Sequence, residues 1–178
     1  MSRTITAVNE TESISSKKHQ IATASVTLGG GSHRDQNFLS NLHPHQLNNL
    51  AQELPLRIIL AEDRSIDRMV ASRILKSLGY QPDTVVNGVE LLEALQKKHY
   101  DVVITDIQMP YMTGIEAARR ICQQWSPQER PFIIALTSNT LPEERQACFD
   151  AGMDNHINKP LKVHSLIQAL LNCFYDLA

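Results

Sequence analysis

Val102-Val103-Ile104-Thr105 is a run of β-branched residues, and a carboxylate, Asp106, follows it directly. Four further short β-rich runs lie before and after it, at residues 57–61, 84–86, 132–136 and, more weakly, 155–158. Helical patterns separate these runs. Short apolar strands that alternate with helices are typical of a parallel sheet flanked by helices. The sequence therefore predicts an α/β fold with the element order (βα)5.

Five sets of residues fill the predicted helices between and after the strands. Near-continuous apolar strands imply that both faces of the sheet are covered, and right-handed crossovers place helices on both sides. We therefore expect a three-layer, doubly wound sandwich. The sets are Ile66, Met69, Val70, Ile74 and Leu78, followed by Gly79; Val89, Leu92 and Leu95 after Asn87; residues 114–123; a segment opened by a capping box from Thr140 to Glu143; and Val163, Leu166, Ile167, Leu170 and Phe174.

Composition and charge exclude several classes of protein. The chain has 178 residues, 42% of them hydrophobic and 20% charged, which is ordinary for one globular domain with a tail. A formal net charge of −2 gives no general attraction to nucleic acid or to an anionic membrane. The three cysteines are widely spaced and the N-terminus lacks the apolar core of a signal peptide. We expect a cytoplasmic protein that binds neither nucleic acid nor membrane.

Residues 1–54 differ in composition from the rest of the chain. Ser, Thr, Asn and Gln make up 21 of these 54 residues, and four basic side chains balance four acidic ones. An alternating, strand-like pattern runs through residues 22–28, and leucines at helical spacing after Pro44 predict a short helix at 45–54. We interpret 1–54 as a flexible, largely irregular polar extension and 55–178 as the folded domain.

The carboxyl ends of the predicted strands carry the polar residues of the chain that are most suggestive of chemistry. Ligands of doubly wound sheets bind at this edge. Three carboxylates meet there, and without a cation they would repel one another, so the arrangement predicts a divalent ion, Mg²⁺ by its oxygen ligands. Each acid alone could instead cap the next helix. The residues are Glu62 and Asp63 after the first strand, Asp106 after the third, Thr137 and Ser138 after the fourth, and Lys159 and Pro160 after the fifth.

Such a site suits phosphoryl transfer. Asp106 follows the strand expected at the middle of the sheet, and a carboxylate there is a competent nucleophile for forming an aspartyl phosphate. The metal, the Lys159 ammonium and the Thr137 hydroxyl would neutralise the oxygens of the transferred group.

These residues resemble the receiver domains of two-component response regulators. The resemblance rests on the stretches Ile59-Leu60-Ala61-Glu62-Asp63, Asp106-Ile107-Gln108-Met109-Pro110-Tyr111-Met112-Thr113-Gly114, Ala135-Leu136-Thr137-Ser138 and Asn158-Lys159-Pro160. It covers about residues 56–176, with every diagnostic position in order. The core sequence is most similar to those of receivers attached to hybrid sensor histidine kinases. The alternative is a stand-alone receiver with an N-terminal extension.

The resemblance implies a flavodoxin-like sheet of strand order 2-1-3-4-5 and a set of residue roles. Glu62 and Asp63 would be the metal-binding acidic pair, with the main-chain carbonyl of Gln108 as a further ligand of Mg²⁺, for which Mn²⁺ could substitute. Asp106 would be the phosphoacceptor. Thr137 would be the switch hydroxyl, and Lys159 would contact the phosphoryl group and precede a cis peptide bond to Pro160.

The resemblance also implies partners. The donor would be a sensor histidine kinase or a histidine phosphotransfer protein. The output would be a downstream protein that reads the surface formed by the fourth helix, the fifth strand and the fifth helix, the α4-β5-α5 face. Apart from its own phosphorylation and autodephosphorylation, the domain would not be an enzyme. Because the sequence ends after the fifth helix, we expect no DNA-binding output domain to follow it.

One position departs from the family pattern. The residue three positions before Lys159 is His156. Receivers usually carry Tyr or Phe at this position, and the aromatic ring moves with the switch. We favour an imidazole that fills the same groove, and the alternative is an output sensitive to pH.

Three other interpretations compete with an active receiver. A flavodoxin would hold a cofactor phosphate after the first strand, where Glu62 and Asp63 would repel it. Phosphatases related to haloacid dehalogenases place a D-x-D motif on that strand, which is absent here. A pseudo-receiver would keep the fold as an interaction platform without taking phosphate, but all five chemical positions are intact.

Overall fold

Five parallel strands and the helices between them make up the computed structural model, which describes residues 50–138 and 141–176. The strand-like stretch 22–28, the first part of the predicted helix 45–54 and Thr140 lie outside these residues. The strands are β1 (Ile58–Ala61), β2 (Asp83–Val85), β3 (Val102–Asp106), β4 (Phe132–Thr137) and β5 (Asn155–Asn158). A leading helix (Leu50–Glu53) precedes them, and the repeat helices are α1 (Ser65–Ser77), α2 (Gly88–Lys97), α3 (Gly114–Gln124), α4 (Pro142–Asp150) and α5 (Val163–Asp176).

The sheet has the order β2-β1-β3-β4-β5, with all four neighbouring pairs parallel. This confirms the predicted doubly wound, flavodoxin-like topology. The register aligns the strand ends that matter for function: Ala61 pairs with Thr105, Asp106 with Leu136, and Thr137 with Asn158. The polar residues that follow β1, β3, β4 and β5 therefore emerge at one edge of the sheet.

Both faces of the central strands are buried. Every residue of β1, β3 and β4 is buried, as near-continuous apolar runs predict. One face packs in a cluster with Leu91 and Leu95 of α2 and Ile121 of α3. The opposite face is buried as well, and α1 and α5 supply the fully buried Leu75 and Leu166. The core thus fixes the edge of the sheet as a rigid base for the polar residues.

The starts of α2 and α3 follow local capping rules, whereas α1 and α4 begin without a side-chain cap. The Asn87 side chain accepts a hydrogen bond from the Glu90 N–H at the start of α2. Thr113 and Glu116 form a capping box that opens α3. The capping box predicted from Thr140 to Glu143 depends on Thr140, which lies outside the described residues, and the structure begins α4 at Pro142 with Leu141 at the N-cap position. Proline at the first helical position has a fixed φ suited to a helix start, which shifts the boundary by one residue.

The leading helix belongs to the packed part of the fold. Leu50 and Leu54 are only 1% and 2% exposed. The Ala51 N–H donates to the Leu78 carbonyl, and the buried Tyr80 hydroxyl donates to the Leu54 carbonyl at 2.9 Å. Packing therefore begins by residue 50. Within the part of the chain that the structure describes, none of the helices has the length and apolar character needed to cross a membrane.

Candidate functional site

Three carboxylates converge at the carboxyl edge of the sheet. Glu62 and Asp63 follow β1, and Asp106 is the last residue of β3, the neighbouring strand. Each offers one oxygen within 4.8 Å of the others. Glu62 and Asp106 are buried. Negative charges so close together and so poorly hydrated need a positive partner.

Lys159 supplies one positive partner. Its Nζ lies 2.7 Å from Glu62 Oε2 and 2.7 Å from Asp106 Oδ2. The Lys159 side chain is 13% exposed, so these charge-assisted hydrogen bonds are well shielded from water. Its backbone N–H donates to the Thr137 carbonyl at 2.7 Å, and the Lys159–Pro160 peptide bond is cis. The loop after β5 is thereby joined to the end of β4.

The electrostatics of this group follow from burial and from the ion pairs. Burial raises the pKa of Glu62, the hydrogen bond from Lys159 opposes that rise, and the Asp106 charge adds to it, so the pKa ends above its usual range. Burial by itself would lower the pKa of Lys159, but its hydrogen bonds to Asp106 and Glu62 outweigh that effect and the pKa ends raised. The lysine is therefore held as a cation.

The acidic pair retains unused capacity for a ligand. Among the residues that the structure describes, the buried Asp63 Oδ1 has no hydrogen-bond partner. A buried carboxylate oxygen without a donor is costly unless a cation or water satisfies it. Three carboxylates that each offer an oxygen within 4.8 Å of the others, with one further sign of unused capacity in the unsatisfied Asp63 Oδ1, fit a hard divalent cation.

Gln108 and Gly114 shape the loop after β3. The Gln108 N–H donates to Asp106 Oδ1 at 3.3 Å, so the other oxygen of this carboxylate contacts the loop. The Gly114 N–H donates to the Ile107 carbonyl, and a Cβ added at Gly114 would lie 2.1 Å from the Asp106 carbonyl oxygen. Only glycine allows the loop to approach this closely.

The two residues predicted to form the switch both contact α4. The Thr137 hydroxyl at the end of β4 donates to Glu144 Oε2 at 2.6 Å. The His156 ring meets the Phe149 ring edge-on, with centroids 5.8 Å apart and planes at 81°. Burial lowers the pKa of His156, and the nearby Arg145 charge lowers it further. The imidazole is therefore neutral at pH 7.

Sequence reasoning missed two side chains that the structure adds to this group. Arg68 Nη1 donates to the main-chain carbonyls of Glu62 at 2.7 Å and Asp63 at 3.1 Å, which fixes the backbone of the acidic pair. Glu144 Oε2 accepts a hydrogen bond from the Thr137 hydroxyl. Arg68 lies one turn into α1, and nothing in the sequence distinguishes it from Arg64, which follows the two acids directly. Likewise, nothing in the sequence distinguishes Glu144 from its neighbour Glu143.

The fold and this group of residues define a receiver domain, and comparison with known proteins agrees. Residues 58–171 match the family model of the response regulator receiver domain. The chain belongs to this family, whose members are signalling domains.

The similar proteins include sensor kinases and a solved receiver. The aerobic respiration control sensor protein ArcB of Escherichia coli is 36% identical over 121 residues, which are 68% of this chain and 15% of that protein. The hybrid signal transduction histidine kinase K of Dictyostelium discoideum is 33% identical over 65% of this chain and 10% of its own length. The chain thus matches a small part of these relatives.

The chain also matches one solved receiver structure over nearly the whole length of that structure. The receiver domain of the sensor histidine kinase PA1611 from Pseudomonas aeruginosa is 32% identical, with a TM-score of 0.62 over 67% of this chain and 98% of that one. That crystal structure has a magnesium ion coordinated in its active-site cleft.

Proposed function

We propose that this protein is the phosphoacceptor of a two-component phosphorelay and takes a phosphoryl group onto Asp106 from a phosphohistidine. The observation that carries the proposal is the buried Asp106 carboxylate, bound by Lys159 at 2.7 Å beside an acidic pair with an unsatisfied oxygen. A carboxylate in this setting is oriented, shielded and surrounded by groups that can neutralise incoming phosphoryl oxygens.

The chemistry is an in-line displacement at phosphorus. An oxygen of Asp106 forms the new O–P bond while the P–N bond of the donor breaks, and the imidazole leaves with the bonding electrons. Lys159 already donates to Asp106 Oδ2, so its ammonium is positioned to move onto a phosphoryl oxygen as the carboxylate charge is consumed. Slow hydrolysis of the same acyl phosphate by water would reset the domain.

Glu62, Asp63, Asp106 and the main-chain carbonyl of Gln108 would hold Mg²⁺, or Mn²⁺ in its place. The unsatisfied Asp63 Oδ1 and the close grouping of three carboxylates support this assignment. The metal would neutralise charge on the transferred group. The magnesium ion in the active-site cleft of the similar PA1611 receiver domain supports the same assignment.

The output would be a change in protein contacts. Thr137 and His156 both contact α4, so a movement of the hydroxyl toward a phosphoryl group would alter the α4-β5-α5 face. A downstream protein would read this face. The upstream partner would be a sensor histidine kinase or a histidine phosphotransfer protein, in line with the kinases among the relatives.

Intact-protein mass spectrometry tests the proposal. The protein is incubated with Mg²⁺ and either acetyl phosphate or phosphoramidate, which carries a P–N bond like that of phosphohistidine. We expect the wild type and Asp150→Asn, an exposed control on α4, to gain one phosphoryl group, and Asp106→Asn to gain none. If neither donor adds mass to the wild type and a histidine kinase also fails, the chain is a pseudo-receiver and the proposal is wrong.

A further inference from the structure

The hydroxyl of Thr137 is engaged by α4 in this structure. Thr137 Oγ1 donates to Glu144 Oε2 at 2.6 Å, and Glu144 is half-buried in the first turn of the helix. We propose that Glu144 is a positioning residue that holds the Thr137 hydroxyl in its resting arrangement and competes with the phosphoryl group for it. This inference rests on the proposed function of Asp106.

The competition follows from the number of protons. A threonine hydroxyl has one O–H to donate, whereas a carboxylate can only accept. The 2.6 Å between Thr137 Oγ1 and Glu144 Oε2 is in the range of charge-assisted hydrogen bonds to a carboxylate, which are stronger than neutral hydrogen bonds. While Thr137 donates to Glu144, it cannot donate to an oxygen on phosphorylated Asp106. Glu144 therefore favours the resting state by the free energy of this bond.

The same bond couples the phosphorylation site to the output surface. Release of Thr137 removes one link between β4 and the first turn of α4, while the contact of His156 with Phe149 joins the last turn of that helix to β5. A partner that draws Glu144 away from Thr137 would strengthen binding of the phosphoryl group, and phosphorylation would strengthen binding of that partner by the same factor.

A general effect of acidic residues must be separated from this specific contact. Acidic side chains in the first turn of a helix interact favourably with the helix dipole. Glu143 and Glu144 both lie in the first turn of α4, but Glu143 is exposed and Glu144 is half-buried against Thr137. Glu143→Ala therefore removes the same charge from the same turn without removing the hydrogen bond to Thr137.

Titration with beryllofluoride in the presence of Mg²⁺, followed by calorimetry, tests the inference. Beryllofluoride is a tetrahedral mimic of the phosphoryl group. We expect Glu144→Ala to bind it roughly ten- to a hundredfold more tightly than the wild type, a range set by the net strength of a hydrogen bond to a charged group. Glu144→Gln keeps an acceptor of lower charge and should lie between them. Glu143→Ala should match the wild type.

A double-mutant cycle shows whether Glu144 acts through Thr137. In the Thr137→Ala background, Glu144→Ala should no longer change the affinity for beryllofluoride, because the bond it would remove is already gone. In the unliganded protein, the amide resonance of Thr137 should shift in Glu144→Ala and Glu144→Gln but not in Glu143→Ala. If Glu144 acted only through the helix dipole or through overall stability, its replacement would not selectively change the beryllofluoride affinity or the Thr137 amide resonance.

The outcomes separate this inference from the proposed function. If the wild type does not bind beryllofluoride and gains no phosphoryl mass, the proposed function fails. If the wild type binds but Glu144→Ala, Glu144→Gln and Glu143→Ala all match it, Asp106 remains the acceptor and the positioning role of Glu144 is wrong. An undiminished Glu144→Ala effect in the Thr137→Ala background would also overturn it.

Discussion

At the scale of single residues, Lys159 forms ion pairs with two carboxylates at once. Its Nζ contacts Glu62 and Asp106, whose side chains are 1% and 10% exposed. Removing one partner of a buried ion pair leaves uncompensated charge. We expect Lys159→Met to lower the free energy of unfolding by about 3 kcal/mol without divalent metal, measured by urea denaturation.

Added Mg²⁺ should return part of that stability, because a cation bound by Glu62, Asp63 and Asp106 would replace the missing charge. Lys162→Met is the matched control, since Lys162 is exposed on the same loop. It should leave the free energy of unfolding within about 0.5 kcal/mol of the wild type. Equal stability of the two variants would contradict the role assigned to Lys159.

His156 predicts a pH dependence with a definite sign. Burial and the Arg145 charge lower its pKa in the folded state, so the unfolded chain binds the proton more readily. Stability should therefore fall as the pH drops below about 6.5, the ordinary value for histidine, and should be independent of this group above it. Unfolding at pH 5.5, 6.5 and 7.5 measures the effect.

His156→Phe should remove this part of the pH dependence, and His164→Phe, at an exposed histidine of α5, should retain it. An unchanged pH profile in His156→Phe would show that another group is responsible. A neutral imidazole at pH 7 favours the ring as a filler of its groove over a pH-sensitive output.

The sequence predicted which carboxylates meet in the site but not every side-chain contact around them. Glu62, Asp63 and Asp106 could be expected to meet because parallel strands bring their carboxyl ends to one edge. The contact between Thr137 and Glu144 could not, since it depends on where α4 begins and how it is rotated, and the sequence placed that start one residue early. Side-chain partners across a loop follow from tertiary packing rather than from local pattern.

At the scale of elements, the junction of β3 and α3 depends on Gly114. A Cβ at this position would lie 2.1 Å from the Asp106 carbonyl oxygen, so backbone must move. We expect Gly114→Ala to destabilise the protein by about 1–3 kcal/mol and to lower the initial rate of phosphorylation by acetyl phosphate, because the end of β3 is displaced.

Gln123→Ala, at an exposed position of the same helix, is the control and should change neither quantity appreciably. A Gly114→Ala variant that folds and accepts phosphate like the wild type would show that the loop tolerates the shift. The strands themselves were predicted within about one residue, since β2 was expected at 84–86 and spans Asp83–Val85. Their short apolar runs leave few alternatives to burial in a sheet.

At the scale of the whole molecule, packing extends beyond the residues that match the family. Leu50 and Leu54 are buried although the family match begins at residue 58. Truncating either leucine would leave a cavity and lose buried apolar area. We expect Leu54→Ala to lower the free energy of unfolding by about 2–5 kcal/mol, against less than about 0.5 kcal/mol for the exposed Glu53→Ala. Equal effects would mean that Leu54, directly after the leading helix, does not support the core.

The chemical identity of residue 106 after reaction shows directly which carboxylate accepts the phosphoryl group. Borohydride reduces an acyl phosphate to an alcohol, so a phosphorylated aspartate becomes homoserine, which peptide mass spectrometry locates. After treatment with Mg²⁺ and phosphoramidate, we expect homoserine at position 106 and at no other carboxylate. Homoserine elsewhere, or none while the protein has gained phosphoryl mass, would contradict the assignment of Asp106 as the phosphoacceptor.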